Sequence, residues 1–278
     1  MNALWILITI IIVVVAIYSY VYISDNSKAV NLPDNIIPIK QGFMTAYLIK
    51  IPSGFLLFDT GYEQDFTSFM KILEKYQINV NEIKYVFLSH HHDDHAGFVG
   101  KLTKINREMK LIVHKKAIPL LASGKNNTNN GGGIVNRLIY IIFKIKMFLK
   151  PDWTLTFPPF TIRDQDIIVY GEQIDIPTEV GLKGTIIHTP GHTTDGICLM
   201  LNEQYMLVGD QASNFLNWAG AKHLTLFNEN VDEVYKSWEK IISMNIKFIV
   251  PSHGKPFRVE RLKNNLYKYS QKDLVIFF

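Results

Sequence analysis

Nine histidines occur in the chain, and four of them fall within six residues, in Ser89-His90-His91-His92-Asp93-Asp94-His95-Ala96-Gly97. Imidazole nitrogens and carboxylate oxygens set this close together are borderline donors suited to zinc, and also to iron or manganese. The cluster follows the apolar run Lys84–Leu88, which places it at the C-terminal end of a strand. In extended backbone His90 and His92 project to one side, and Asp94 and His95 follow on the turn. A tract that binds metal only adventitiously belongs in a terminal loop, not behind a buried strand. Three further segments repeat the context: Thr185–His188 runs into Thr189-Pro190-Gly191-His192, Leu207-Val208-Gly209 ends on Asp210, and Phe248–Ser252 ends on His253. Each alone has a structural explanation, as a turn histidine or a helix cap. Together with the cluster they read as one metal site at the rim of a sheet. No G-x-S-x-G elbow occurs.

The elements that must hold these residues alternate along the chain. Met44–Ile51 and Phe55–Phe58 read as neighbouring strands joined by the turn Pro52-Ser53-Gly54. Within Tyr62–Gln77, Phe66, Phe69, Met70 and Leu73 recur at helical spacing. Further strands are expected at Lys84–Leu88, Lys110–His114, Gln173–Ile176, Thr185–His188, Gly196–Leu201, Tyr205–Val208 and Lys247–Val250. Helices are expected over Glu229–Asn245 and Arg258–Tyr269. Helices interleaved with strands, with hairpins among them, imply mixed sheets. Ser123–Gly133 is polar and glycine-rich, and Ile134–Lys150 behind it carries only cationic charge. Residues 123–150 therefore read as a loop and helix inserted into the domain. Leu138, Ile139, Ile141, Ile142, Ile145, Phe148 and Leu149 exceed what one buried stripe requires. The helix is expected to roof the site and wall an apolar substrate, with a bilayer contact or plain burial as alternatives.

The 278 residues are 47% apolar and 19% charged, enough for a sizeable core and unlike collagen, coiled coil or disordered chain. A scattered net charge of +4 leaves no footprint for nucleic acid. The single cysteine, Cys198, excludes an intramolecular disulfide and reads as a small buried hydrophobe. From Ala3 to Ile23 no residue is charged, and roughly 20 apolar residues suffice to cross a hydrocarbon core of about 30 Å. Tyr18, Tyr20 and Tyr22, with Trp5 at the other end, suit interfacial belts. Residues 1–24 are thus expected to be a transmembrane anchor and 25–30 a linker. That makes the chain a single-pass membrane protein of unread sidedness, with the bilayer as partner to residues 3–23. Residues 31–278 are expected to form the catalytic domain.

The motifs HHHDDHAG at 90–97, TPGHT at 189–193, Gly209-Asp210 and Ser252-His253-Gly254 resemble, in order, the motif set of the metallo-β-lactamase-fold hydrolase superfamily. Lactonase- and glyoxalase-II-type members are the most similar. The resemblance implies an α/β fold: a four-layer αββα sandwich of two mixed β-sheets with outer helices, here preceded by one N-terminal transmembrane helix. It implies two divalent metal ions, zinc first, with manganese or iron as alternatives. His90, His92 and His192 would hold one, Asp94, His95 and His253 the other, and Asp210 would bridge them. Asp94 would also pass a proton to the leaving group, and Asp59 in Phe58-Asp59-Thr60-Gly61 would support the site from behind. Two cations about 3.5–4 Å apart make hydroxide from a bridging water and polarise the substrate's oxygen. The expected reaction is hydrolysis of a small-molecule ester, lactone, thioester or phosphodiester, acyl-bearing substrates included. The best-known β-lactamases have a cysteine where Asp210 stands, which weakens an antibiotic-hydrolysing reading. An iron-dependent oxidoreductase of the same fold is one rival, although the diiron flavoprotein branch has glutamate at the place of His92. A catalytically silent module is another, but it has no physical need of seven intact ligands. His91, His114, His188 and His223 have no slot in the set and are expected to be structural or supporting.

Overall fold

The computed structural model describes residues 30–128, 131–149 and 154–276. One six-stranded sheet runs in the order β1 (Ile36–Gln41), β2 (Met44–Ile51), β3 (Gly54–Phe58), β4 (Ile83–Phe87), β5 (Lys110–His114) and β7 (Ile167–Val169). β1 to β3 are antiparallel, and from β3 onward neighbours are parallel. Parallel neighbours need crossovers. The helices α1 (Phe66–Lys75), α2 (Val99–Ile105) and α3 (Ala117–Ser123) lie in them. After α3 comes β6 (Gly133–Ile134) and then α4 (Arg137–Leu149).

The second six-stranded sheet is ordered β14 (Phe257–Arg258), β13 (Phe248–Pro251), β11 (Tyr205–Gly209), β10 (Ile197–Leu201), β9 (Gly184–His188) and β8 (Gln173–Asp175). Its one parallel pair, β11 with β13, is connected through α5 (Val231–Ser243). α5 starts where the Asn230 side chain accepts the Glu233 amide at 3.1 Å, an N-cap. It buries Val231, Val234, Tyr235, Trp238 and Ile241 on one face.

Three apolar cores define the layers. Tyr47, Ile49, Phe58, Phe87, Leu199 and Leu207 fill the space between the sheets. Phe69, Leu73, Phe98 and Leu102 pack outside the first sheet, and Ile139, Phe143, Tyr235 and Trp238 outside the second. β2 sends Ala46 and Leu48 to the outer core and Tyr47 and Ile49 to the inner one. Burial on both faces is why it reads as a nearly unbroken apolar run. The αββα arrangement with two mixed sheets is as expected.

The expectation of a transmembrane helix ahead of the sandwich, and with it of a single-pass membrane protein, is corrected here. Among the described residues no helix is long and apolar enough to cross a membrane. The longest, α4 and α5, have 13 residues each, about 20 Å of rise against a hydrocarbon core of about 30 Å. The run from Ala3 to Ile23 lies outside the described residues.

Other differences have local causes. β1 carries Pro38, which interrupts the strand signal but is tolerated because β1 is an edge. The inserted helix begins at Arg137, not Ile134, because the Asn136 side chain accepts the Ile139 amide at 3.0 Å and Ile134 belongs to a strand. That strand, β6, pairs with both β12 (Phe227–Asn228) and β15 (Val275–Ile276) in a small third sheet. The last helix stops at Lys263. Asn264 and Asn265 follow, and Tyr267 takes a left-handed φ of 57° that ends any helical continuation.

Candidate metal centre

All seven expected donors meet at the rim where β3, β4, β9, β11 and β13 end. They fall into three overlapping sets that could each hold an ion: His90 with His92 and His192, His90 with His95 and Asp210, and Asp94 with His95 and His253. Within each set the donor atoms lie within 4.8 Å of one another. His192 Nε2 is 3.2 Å from His90 Nε2 and 3.1 Å from His92 Nδ1. His253 Nε2 is 3.1 Å from Asp94 Oδ2. Asp210 lies between the halves, with Oδ1 3.3 Å from His95 Nε2 and Oδ2 3.7 Å from His192 Nε2.

The outer nitrogens decide what the inner ones present. His95 Nδ1 donates to Asp59 Oδ2 at 2.8 Å, His192 Nδ1 to the Phe227 carbonyl at 2.8 Å, and His253 Nδ1 to the Phe43 carbonyl at 2.9 Å. His90 Nδ1 donates to Ser89 Oγ at 3.0 Å, which in turn donates to Asp59. Each Nδ1 carries a proton, so the Nε2 atoms of His90 and His192 direct lone pairs inward, while those of His95 and His253 face the carboxylates of Asp210 and Asp94. Lone pairs converging at about 3 Å repel unless a cation lies among them. Buried His95 Nε2 meets carboxylate oxygens only at 3.3 and 3.7 Å and Asp210 Oδ1 meets imidazole nitrogens only at 3.3 and 3.4 Å, longer than a good charge-assisted hydrogen bond. The residues present therefore fit divalent cations.

Charge divides the site. Burial drives His90 and His92 well below the ordinary imidazole range, and neighbouring imidazoles add to it. In the other half burial is outweighed: Asp59, Asp94 and Asp210 raise His95, and Asp210 with Asp94 brings His253 to about 9. Asp94 and Asp210, despite burial, are held below the usual carboxylate range by the imidazoles of His95 and His253. Burial, with Asp94 beside it, raises Tyr62 and keeps its hydroxyl protonated.

Asp59 supports the site from behind, as the resemblance implied. Its carboxylate accepts the Ser89 amide at 2.7 Å, Ser89 Oγ at 2.8 Å and Ser252 Oγ at 3.2 Å, besides His95. Gly209, at φ 53°, is required there because a Cβ would run into the Ser89 side chain. His91 turns away, bonded to Asp195 at 2.9 Å. His188 bonds Glu172 at 3.0 Å and stacks on His114, while His223 stacks on Phe257. These four stand outside the donor sets. Sequence reasoning missed Ser89, Ser252, Thr225, whose Oγ1 is 3.0 Å from His192 Nδ1, and Tyr62 on the cavity wall. Hydroxyl residues at loop positions carry no spacing signal that could single them out.

A family model for the metallo-beta-lactamase superfamily matches residues 40–253, and the chain belongs to that superfamily. A beta-lactamase-like protein 2 homolog of Drosophila melanogaster is 28% identical over 215 residues, covering 77% of this chain and 59% of the relative. A protein of the same name from Caenorhabditis elegans is 27% identical over 219 residues, covering 77% and 56%. The chain thus spans a little over half the length of these curated relatives. Among solved structures, a subclass B3 metallo-beta-lactamase of Bradyrhizobium japonicum superposes with a TM-score of 0.56 at 18% identity, over 82% of this chain and 78% of that one. An archaeal superfamily protein from Sulfolobus tokodaii gives 0.52 at 17%, over 84% and 86%. At these identities the structural likeness concerns the fold. Superfamily membership and the His/Asp clusters support a metal-dependent hydrolase.

Proposed function

We propose that the chain hydrolyses a small-molecule ester, lactone, thioester or phosphodiester with two divalent cations, zinc in the first place. His90, His92 and His192 would hold one, Asp94, His95 and His253 the second, with Asp210 between them. The observation that carries this reading is the convergence of imidazole nitrogens on Asp94 and Asp210, with the outer nitrogens of four rings already committed to Asp59, Ser89 and two carbonyls. Bound cations would supply an activated water at neutral pH and an electrophilic contact for the substrate's oxygen. The chain's own groups do the rest. Ionised Asp94, with Oδ2 against His253, carries a proton to the leaving group. Protonated Tyr62 faces the same cavity as a hydrogen-bond donor. That cavity, about 300 Å³, is of a size for small molecules.

The test is to strip the purified protein with chelator, reload it with zinc, manganese or iron, and assay lactone, thioester, phosphodiester and β-lactam substrates. Hydrolysis should return with two equivalents of metal. Asp210→Ala should lose both equivalents together with activity, and His253→Ala should mainly deplete the second. Full activity with one equivalent would overturn the two-cation arrangement.

A further inference from the structure

The cavity that opens on the histidine cluster continues beneath the inserted helix. At one end it is lined by His92, Asp94, His192, Asp210 and His253. Its lining also takes in Ile139, Ile142 and Phe143 of α4, Ile134 of β6, and Leu224 and Leu226 of the segment before β12, with polar groups such as Asn126, Thr128 and Thr225 among them. The insertion is not loosely draped there. β6 pairs with β12, and the Phe227 carbonyl of β12 holds His192, so the apolar wall and the cluster share one support. These carbon side chains offer a polar tail no hydrogen bond, and Lys146 of α4 is the cation that also lines the cavity. Hydrocarbon, by contrast, is stabilised by every methylene it buries there.

We infer that this is an acyl-chain pocket. The substrate is an ester, lactone or thioester of a linear apolar acid, with its carbonyl at the cluster and its chain beneath α4, rather than a phosphodiester. The carbonyl end of this inference rests on the hydrolase reading, and the chain end does not. Bond by bond the reaction is simple: water adds its oxygen to the acyl carbon, the acyl–oxygen or acyl–sulfur bond breaks, and one proton goes to the leaving group.

Two measurements separate the parts. In the first, metal-loaded protein is assayed on acetyl, butanoyl, hexanoyl and octanoyl thioesters. kcat/KM should rise about three- to fourfold per methylene while the chain stays in the pocket. In the second, chelator-treated protein is titrated calorimetrically with methyl octyl ketone, which has the chain and carbonyl but no bond to hydrolyse. It should bind where methyl ethyl ketone does not. Ile142→Asp should weaken ketone binding at least tenfold and flatten the chain-length series, with thermal melts confirming that it folds. Ile142→Ala provides a milder version of the same loss. Phe148→Asp, on the opposite face, should change neither readout. Equal kcat/KM across the series with no ketone binding overturns the pocket and leaves the hydrolase reading intact. A phosphodiester cleaved in preference to the octanoyl thioester also overturns it. Ketone binding without hydrolysis of any thioester or ester sustains the apolar-chain site and removes the hydrolase reading.

Discussion

Asp59 ties three chain segments to one point. Its two oxygens receive the Ser89 amide and hydroxyl, the Ser252 hydroxyl and the His95 ring N–H, and its backbone adopts a left-handed φ of 59°. Asn tolerates that conformation as Asp does, so Asp59→Asn is a clean probe. The amide's NH2 would face donors where an acceptor is needed, and the His95 ring would lose the partner that fixes its tautomer. Metal affinity should fall about 10–100-fold with the fold intact, as read by competition against a chelator and by far-UV circular dichroism. Unchanged affinity would show that His95 is oriented by something other than this carboxylate.

α4 combines three surfaces on 13 residues. Ile139 and Phe143 are buried at 0% and 7% exposure, while Leu138, Ile141, Ile145 and Phe148, at i, i+3, i+7 and i+10, form an exposed stripe. Ile142, between them, lines the cavity, which Ile139 and Phe143 also border. Aspartate at Phe148, which is 84% exposed, should leave stability within about 0.5 kcal/mol of wild type. Phe143→Ala should cost about 3–5 kcal/mol by removing a buried ring from the apolar core outside the second sheet. Denaturant midpoints compare the two directly, and a large loss from Phe148→Asp would mean that this face is packed in solution.

At the scale of the whole molecule, acid stability carries a signature of the loop between β11 and β12. His223 is buried, its Nδ1 donating to the Ser213 carbonyl at 2.9 Å and its ring stacked on Phe257. Burial lowers it to about 4, against the Ser213 bond and with Arg261 adding to the shift. An unfolded chain titrates this histidine near 6.5. Between those values the unfolded chain takes up a proton that the folded one refuses. The His223 contribution is therefore constant above about pH 6.5 and turns against the fold as pH falls toward 4, by about 2–3 kcal/mol. His223→Asn, suited to the left-handed φ of 68° at this position, should flatten that part of the pH profile. The measurement is urea unfolding of chelator-stripped protein at pH 7 and pH 5. Equal pH dependence in the two proteins would refute the assignment.

That these residues come together was legible in sequence because each lies in a local pattern: His90, His92, Asp94, His95, His192, Asp210 and His253 each follow a short apolar run that ends in a turn. The strands were legible for the same reason. Met44–Ile51 and Lys110–His114 form as read, since burial on both faces leaves a continuous apolar signal. What joins distant segments left no such signal. His91 points away from its neighbours, but its partner Asp195 lies 104 residues on. The third sheet brings β6, β12 and β15 together from widely separated parts of the chain. The apolar residues of α4 were visible in sequence, but their division among core, cavity and solvent was not. Side-chain periodicity records how many faces a helix has, and only packing against β6, β12 and the second sheet decides which neighbour each face meets.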